Sequence, residues 1–470
     1  MRSAGGHSFL NADWADQVDF TDQKNSYPSS SASSFQSAFK KSALTSDSSE
    51  ISPHLAKPRL WHKEAGEFRT ARATIRRIWY FYIRMSEAKV KKIKPDIRAI
   101  TRLVPPSGNL VQGQSELPID PQLAKEAAEI IAASRNHYGG SEGDADLRKA
   151  VAEKIRKYNG IEIGVDAKPL ELMITNGGTG ALIGLTQSYL RGKSALVFEP
   201  YYPYHRRILE EFGGKTESFE LNEKLGFERD ALLARCKELI NRSEFPLKAI
   251  IVCSPANPSG KVMTQTELEA VADVAQELDL LVISDEVYEH YVTGEHPHTP
   301  IATLPGMWDR TITVNSFSKS WNISGWRLGY AFGKGELIGP INNAANVIYV
   351  CPATPLQAAL SRVLMADENY YPKLRDKFDA KRRLFSDGIE SLGFDIYDSG
   401  SAFYLWARIP SDFNDALTFN EMLMEKAGVG MTPGSAFADT DGWDAHVRIC
   451  IAREDSILEG ALEKLRLVLG

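Results

Sequence analysis

Short apolar runs that alternate with stretches of helical spacing constrain the fold of this chain most. Six such runs recur from about Leu172 onwards, at residues 171–175, 194–200, 247–255, 280–286, 310–318 and 326–333. Between two of them, the stretch QTELEAVADVAQELD at 265–279 carries apolar residues at helical intervals. Continuous apolar strands separated by helices are typical of a mainly parallel sheet with helices on both faces. The pattern therefore predicts an α/β fold.

The rest of the chain predicts a second domain and an N-terminal extension. With 470 residues, the chain exceeds the size at which a single hydrophobic core stops growing. GFDIYDSGSAFYLWARI and HVRICIA have strand character and precede a final helix, which predicts a smaller α+β domain at 351–470. We assign residues 126–350 to the large domain and 85–125 to an arm and part of the small domain. Residues 1–84 begin with a serine-rich segment poor in aliphatic residues, so we expect a disordered or dispensable extension.

Composition excludes several functional classes. A formal net charge of −6 does not support binding to nucleic acid through a broad basic surface. No run of eighteen apolar residues occurs, so we expect no membrane span. The cysteines are scattered and form no C-x-x-C pair: Cys236, Cys253, Cys351 and Cys450. We therefore expect neither a metal site nor disulfides, and a cytoplasmic location. Four aspartates between residues 13 and 22 argue against an organellar transit peptide.

Polar residues follow the predicted strands at the points where they end. They are Thr175–Gly180 (TNGGTG), Asn257, Asp285, Tyr288, Ser316, Ser318 and Lys319. In open parallel sheets, ligands bind at the carboxyl ends of strands. Each feature alone has an ordinary structural explanation: a tight turn for the glycines, a satisfied carboxylate for Asp285, a surface amine for Lys319. Together they predict one binding site.

Five segments, in chain order, resemble the signatures of class I and II aminotransferases, which are pyridoxal 5′-phosphate (PLP) enzymes of fold type I. They are NGGTGAL, SPANPSGK, SDEVYEHY, SFSKSWNISGWRLGY and HVRIC. The resemblance covers roughly residues 95–470. It implies a large PLP-binding domain with a mainly parallel seven-stranded sheet and a smaller α+β domain. It also implies transfer of an amino group from a 2-amino acid, such as aspartate or an aromatic amino acid, to a 2-oxo acid such as 2-oxoglutarate.

The resemblance implies a role for each residue near the cofactor ring. Lys319 would carry PLP as a Schiff base and afterwards shuttle a proton. Asp285 would pair with the protonated pyridine nitrogen, and Tyr288 would complete the catalytic set with them. Asn257 and Tyr288 would hydrogen-bond the phenolic oxygen of the ring. Tyr202 would stack on the ring face, with its neighbour Tyr201 as the alternative.

The resemblance also implies how phosphate and substrate are bound. The phosphate group would lie among Gly178, Thr179, Ser316, Ser318 and Arg327. Tyr138 resembles the tyrosine that reaches the phosphate of the neighbouring subunit, which implies a homodimer with shared sites. Arg448 would bind the substrate α-carboxylate beside Asn257. Gly113 lies near the glycine that closes over that carboxylate, although its segment does not match the usual spacing cleanly.

The sequence leaves the substrate and part of the chemistry open. An acidic substrate needs a second cation, and Thr179 stands where one candidate lysine would be. Arg206 and Arg207 lie close to Tyr202, but we interpret them as exposed helix charges. The same fold also supports β-elimination, decarboxylation and amino-acid oxidation, and a non-catalytic PLP-binding regulator is the remaining alternative.

Overall fold

A seven-stranded sheet forms the centre of the described chain. The computed structural model describes residues 95–133, 136–294, 297–397 and 399–470, so the predicted extension at 1–84 lies outside the described residues. The strands of this sheet are β1 Leu172–Asn176, β2 Ser194–Glu199, β3 Lys215–Glu220, β4 Leu247–Cys253, β5 Leu281–Asp285, β6 Thr311–Ser316 and β7 Leu328–Gly333. Their order across the sheet is β1-β7-β6-β5-β4-β2-β3.

Among the described strands of this sheet, β7 alone runs antiparallel to its neighbours. The pairs β2–β3, β2–β4, β4–β5 and β5–β6 are parallel, whereas β7 is antiparallel to both β6 and β1. The predicted α/β fold with a mainly parallel seven-stranded sheet is confirmed. Sequence reasoning missed β3, because this edge strand, KTESFE, is polar and partly exposed rather than a continuous apolar run.

Helices cover both faces of the sheet. In chain order the α-helices are α1 Ile97–Leu103, α2 Pro121–Ala132, α3 Ala145–Asn159, α4 Gly177–Leu185, α5 Pro203–Glu211, α6 Arg229–Ile240, α7 Gln265–Glu277, α8 Phe317–Ser320, α9 Gly335–Tyr349, α10 Thr354–Val363, α11 Tyr370–Glu390, α12 Ala416–Lys426 and α13 Asp455–Leu469. A π-helical turn, Thr186–Leu190, extends α4. Single 3₁₀ turns lie at Pro106–Gly108, Glu289–Tyr291, Ile301–Thr303, Ser324–Trp326 and Gly434–Ala436.

Alternate residues of each central strand enter different cores. Ile251 and Ile283 pack on one face with helices α4, α5 and α9. Their neighbours Ile250 and Val282 pack on the other face with α6 and α7. Because both faces are buried, β4 and β5 are mainly apolar, with most of their residues inaccessible to solvent. This burial places the functional side chains at the strand ends.

A second, antiparallel sheet has the order β10-β11-β9-β8. Its strands are β8 Asp395–Tyr397, β9 Tyr404–Arg408, β10 Thr432–Pro433 and β11 His446–Cys450. Apolar residues of α11, α12 and α13 form one core with this sheet. The strand character predicted for GFDIYDSGSAFYLWARI and HVRICIA is confirmed.

The segment after α1 is attached to the second sheet. Leu110 N–H donates to the Gly430 carbonyl oxygen (3.0 Å), and Cys450 N–H donates to the Leu110 carbonyl oxygen (2.9 Å). The side chain of Leu110 lies in the core of that sheet. The domain boundaries proposed from sequence, 85–125, 126–350 and 351–470, stay predictions. Among the described residues, no helix has both the length and the apolar character needed to cross a membrane.

Candidate active site

A cavity of about 800 Å³ opens at the carboxyl ends of the central strands. Twelve of the residues predicted from sequence line it: Gly113, Gly178, Thr179, Tyr202, Asn257, Asp285, Tyr288, Ser316, Ser318, Lys319, Arg327 and Arg448. The remaining one, Tyr138, does not line this cavity, and 87% of its surface is exposed. Residues from five strand ends and from the second sheet therefore meet around one space.

Lys319 projects from the short helix α8, which directly follows β6. Its Nζ donates a hydrogen bond to the Gly113 carbonyl oxygen at 2.7 Å. Burial disfavours the charged ammonium and lowers the pKa of Lys319 to about 8, and the positive charges of Arg448 and Arg327 act in the same direction. A larger fraction of this amine is therefore neutral and nucleophilic near neutral pH than in an exposed lysine.

Asp285, the last residue of β5, is held by two contacts. Its Oδ2 lies 2.7 Å from His205 Nε2, and its Oδ1 accepts a hydrogen bond from Val287 N–H at 3.3 Å. His205 belongs to α5 and is 1% exposed, while Asp285 is 7% exposed. Asp285 is the only carboxylate among the described residues that line the cavity. A buried carboxylate fixed in this way offers a hydrogen-bond acceptor of defined direction to a cationic ligand nitrogen.

The start of α4 forms a cradle suited to an anion. The helix begins at Gly177 with no side-chain cap, so its first N–H groups lack a side-chain acceptor. Gly177 has a φ of +66°, and a Cβ there would lie 2.6 Å from Arg327 Nη2. The hydroxyls of Ser316 and Ser318 lie 2.9 Å apart at the same end of the cavity. Helix N-terminus, hydroxyls and guanidinium are the groups that bind phosphate in proteins.

Tyr202, rather than Tyr201, lines the cavity. The Tyr202 ring stacks on Tyr204 with centroids 5.4 Å apart and contacts the edge of His205 at 5.4 Å. The Tyr201 hydroxyl instead lies 3.2 Å from Asp439 Oδ2, outside this cavity. Of the two alternatives that the sequence left open, only Tyr202 is placed to contact a ligand there.

Arg448 is a buried cation without a carboxylate partner among the described residues. It lies on β11 and is 2% exposed. Nη1 donates to Asn257 Oδ1 at 2.9 Å and Nη2 donates to the Val111 carbonyl oxygen at 2.6 Å, while Nε has no partner. The guanidinium also lies over the Tyr404 ring, 4.5 Å from its centroid. A buried charge is costly unless it is paired, so this geometry fits an anionic ligand that completes the pair.

Gly113 and Tyr404 are in close contact across the cavity. A Cβ on Gly113 would lie 2.1 Å from the Tyr404 hydroxyl oxygen, so any other residue would require the ring or the segment to move. That hydroxyl is 2.9 Å from the Tyr288 hydroxyl. The position of Gly113, which its sequence spacing left uncertain, is therefore next to Lys319 and Tyr404.

Sequence reasoning missed His205, which contacts the cavity residue Asp285 without lining the cavity, and three residues that do line it. His205 lies three residues after Tyr202 in EPYYPYH, and this helical spacing was an available signal. The three residues that line the cavity are Tyr404 and the α1 residues Arg98 and Arg102, which belong to segments without a recognisable motif. Arg206 does not line it, because its guanidinium pairs with Asp439 and with Glu210.

Comparison with known proteins identifies the family. The model of aminotransferase class I and II matches residues 107–465. The chain belongs to the class I and II aminotransferases. A probable N-succinyldiaminopimelate aminotransferase of Mycobacterium tuberculosis is 33% identical over 374 residues, which cover 76% of this chain and 91% of the relative. An aspartate aminotransferase of Pyrococcus abyssi is 33% identical over 353 residues, covering 74% of this chain and 88% of the relative.

Solved structures support the same assignment. The structure of N-succinyldiaminopimelate aminotransferase from Mycobacterium tuberculosis has a TM-score of 0.73 and 29% identity, and covers 81% of this chain and 100% of that chain. This aminotransferase is therefore a PLP-dependent transaminase whose substrates are amino acids and 2-oxo acids. The residues present fit the cofactor, because the uncapped start of α4, the Lys319 amine and the fixed Asp285 carboxylate face one cavity.

Proposed function

We propose that this transaminase transfers the amino group of a 2-amino acid to a 2-oxo acid such as 2-oxoglutarate, with Lys319 as the cofactor lysine. One observation carries the proposal: a buried amine with a pKa lowered to about 8 lies in the same cavity as Asp285 and Arg448. Gly178, Thr179, Ser316, Ser318 and Arg327 would hold the phosphate of PLP, and Asp285 would face its ring nitrogen. When bound, PLP would accept the electron pair left at the substrate α-carbon and would carry the amino group from donor to acceptor.

The chain's own residues perform the remaining tasks. Lys319 moves a proton at the α-carbon of the bound amino acid, which is general acid–base work by a positioned amine. Arg448 binds the substrate α-carboxylate through its guanidinium, and Asn257 fixes the orientation of that guanidinium. Tyr288 and Asn257 would donate to the ring oxygen of the cofactor, and Tyr202 would pack on the ring face. Tyr404 holds the Tyr288 hydroxyl in position.

Two substrate classes are supported by different features. The two relatives named above act, by their names, on N-succinyldiaminopimelate and aspartate, which both carry a carboxylate beyond the reacting carbon. Tyr202, Tyr204 and Tyr404 form an aromatic wall of the cavity, which would accommodate an aromatic amino acid. Aspartate and aromatic amino acids are therefore the first donors to test.

The test is the visible absorption spectrum of the purified protein loaded with PLP. A donor amino acid should bleach the band of the bound cofactor, and a 2-oxo acid should restore it. Lys319→Ala should abolish the band and turnover, whereas Lys334→Ala, a change to a half-buried lysine paired with Asp309, should preserve both. Bleaching that no 2-oxo acid reverses would contradict transamination by this chain.

We further propose that the working unit is a homodimer in the cytoplasm. Tyr138, Val347, Ile348 and Val350 are large apolar or aromatic side chains left 42–87% exposed, which a second copy would cover. Val350 has a φ of +62°, which is rare for a β-branched residue. In this arrangement Tyr138 would reach the phosphate of the neighbouring site. The four free cysteines fit a reducing compartment.

Mixed dimers test the shared site. Tyr138→Ala and Lys319→Ala subunits should each be nearly inactive alone. A hybrid regains one complete site if Tyr138 acts across the interface, so dissociating and reassociating the two variants together should restore activity. If Tyr138 acted within its own subunit, or if the chain were monomeric, mixing would restore none.

A further inference from the structure

The charges that line the cavity are unbalanced. Five cationic side chains line it: Arg98, Arg102, Lys319, Arg327 and Arg448. Within the described residues, Asp285 is the only carboxylate in the lining, and it contacts His205. The proposed function accounts for Lys319, Arg327 and Arg448 through the cofactor, its phosphate and the substrate α-carboxylate. Arg98 and Arg102 remain without an assigned anion.

Arg98 and Arg102 lie one helical turn apart on α1, on the side that faces the cavity. Thr101 and Ile97, which neighbour them on the helix surface, also line the cavity. The opposite side of the helix is anchored, since Ile100 packs with Val104 and Val111 in a small apolar cluster. The cation pair is therefore presented by a docked helix rather than by a free terminus.

Neither arginine forms an ion pair within residues 95–133, 136–294, 297–397 and 399–470. The Arg98 guanidinium donates to the Tyr204 hydroxyl and lies over the Tyr204 ring, 5.7 Å from its centroid. Tyr204 stacks on Tyr202, the residue expected against the cofactor ring. These contacts link Arg98, through Tyr204, to the residue expected against the cofactor ring. Arg206 differs, because Asp439 and Glu210 already neutralise it.

The same backbone segment joins α1 to Arg448. Asn109 Nδ2 donates to the Thr101 carbonyl oxygen at 3.3 Å, and Val111 N–H donates to Asn109 Oδ1 at 3.1 Å. The Val111 carbonyl oxygen accepts from Arg448 Nη2 at 2.6 Å. Three hydrogen bonds through residues 109–111 therefore link the backbone of α1 to the Arg448 guanidinium.

We propose that Arg98 and Arg102 form a second anion subsite that binds the distal carboxylate of a dicarboxylic substrate. The substrates would be a 2-oxo dicarboxylic acid and an amino acid with a carboxylate in its side chain. Arg448 would bind the α-carboxylate, and Ile97 and Tyr204 would contact the carbon chain. The guanidinium of Arg98 would bind the distal carboxylate through two parallel hydrogen bonds. This inference rests on the proposed function and specifies its substrate class.

Ligands that differ in one carboxylate test the subsite directly. Glutarate and pentanoate have the same number of carbons, but only glutarate has a second carboxylate. We expect the PLP-loaded enzyme to bind glutarate about tenfold more tightly in titration calorimetry, the size of effect expected for charge-assisted hydrogen bonds at a partly exposed site. Arg98→Gln with Arg102→Gln should remove this preference, and Arg98→Lys should retain part of it.

Arg207→Gln is the matched control, since Arg207 is an exposed arginine on α5 that does not line this cavity. It should leave the preference for glutarate unchanged. The proposal is overturned if the double variant binds glutarate and pentanoate in the same ratio as the wild type, or if both affinities fall equally. Calorimetry does not depend on turnover. A failure of amino acids to bleach the cofactor band would therefore contradict the proposed transamination separately.

Discussion

His205 Nε2 lies 2.7 Å from Asp285 Oδ2; both side chains are buried, and Asp285 lines the cavity whereas His205 does not. The imidazole comes from α5 and the carboxylate from the end of β5, so the contact joins a helix to the centre of the sheet. Because the other carboxylate oxygen accepts from Val287 N–H, Asp285 has little freedom to rotate. His205 is therefore a positioning residue for Asp285.

Replacing His205 should weaken catalysis through Asp285. We expect His205→Leu to lower kcat/KM by about 10- to 100-fold, the range for losing one hydrogen bond to a charged group. The pH dependence of the bound cofactor's absorption should also shift, and His205→Gln should restore part of both properties. A purely structural role would instead lower the melting temperature and leave the absorption profile in place.

Loading of the apoprotein with PLP should follow the titration of Lys319. Burial lowers its pKa to about 8. Below that pH, the fraction of Lys319 in the neutral form therefore rises about tenfold per pH unit, and above it the neutral form is dominant. We expect the loading rate, followed by stopped-flow absorption, to rise with pH and to level off near pH 8. A rate that keeps rising towards the ordinary lysine value of 10.5 would contradict the lowered pKa.

Arg448→Lys should separate substrate binding from cofactor binding. An ammonium cannot reproduce the two-pronged contact of a guanidinium with a carboxylate, so KM for amino acids should rise about 30- to 100-fold. The cofactor absorption should change little, since Arg448 is assigned to the substrate. Steady-state kinetics and PLP titration measure the two effects. If amino-acid binding and PLP binding weakened equally, the result would argue against the role assigned to Arg448.

Gly113→Ala should damage the cavity by steric conflict. Its Cβ would lie 2.1 Å from the Tyr404 hydroxyl oxygen, so the segment or the ring must move, at a cost of about 1–3 kcal/mol in the free energy of unfolding. We expect kcat/KM to fall at least tenfold. Gly460→Ala is the control, because nothing lies within 4 Å of a Cβ on that helical residue. Chemical denaturation and kinetics of both variants provide the comparison.

Val347→Asp should weaken the proposed dimer. Val347 is 87% exposed in the single chain, and a carboxylate buried in an interface between copies would be strongly unfavourable. Sedimentation velocity should show a shift towards monomer. Leu467→Asp changes an equally exposed residue on α13 and should leave the association unchanged. If neither variant altered sedimentation, Val347 would not lie at the interface.

The central sheet could be predicted because its strands are buried on both faces. Six of the seven strands coincide with apolar runs, whereas β3, at the edge, carries charged residues and gave no such signal. Residues that act within one continuous segment, such as Lys319 and Asp285, were likewise recognisable. The motifs that contain these residues form local turns at strand ends, and such turns depend little on the rest of the chain.

The rest of the site depends on contacts between distant segments. Tyr404 contacts Tyr288 across 116 residues, and Lys319 contacts Gly113 across 206 residues. No spacing rule within one segment predicts such pairs, because they arise only when the second sheet packs against the first. Arg98 was missed for the same reason: its contact with Tyr204 spans 106 residues and involves a helix without a motif.

The hydrogen bond from Arg448 to the Val111 carbonyl oxygen has a consequence for biosynthesis on the ribosome. The two residues are separated by 337 positions, so a segment translated early is fixed by one translated very late. The strand ends that would hold the cofactor, from β1 to β6, emerge long before β11. The residues of the phosphate cradle would therefore be synthesised well before the arginine that we assign to the substrate α-carboxylate.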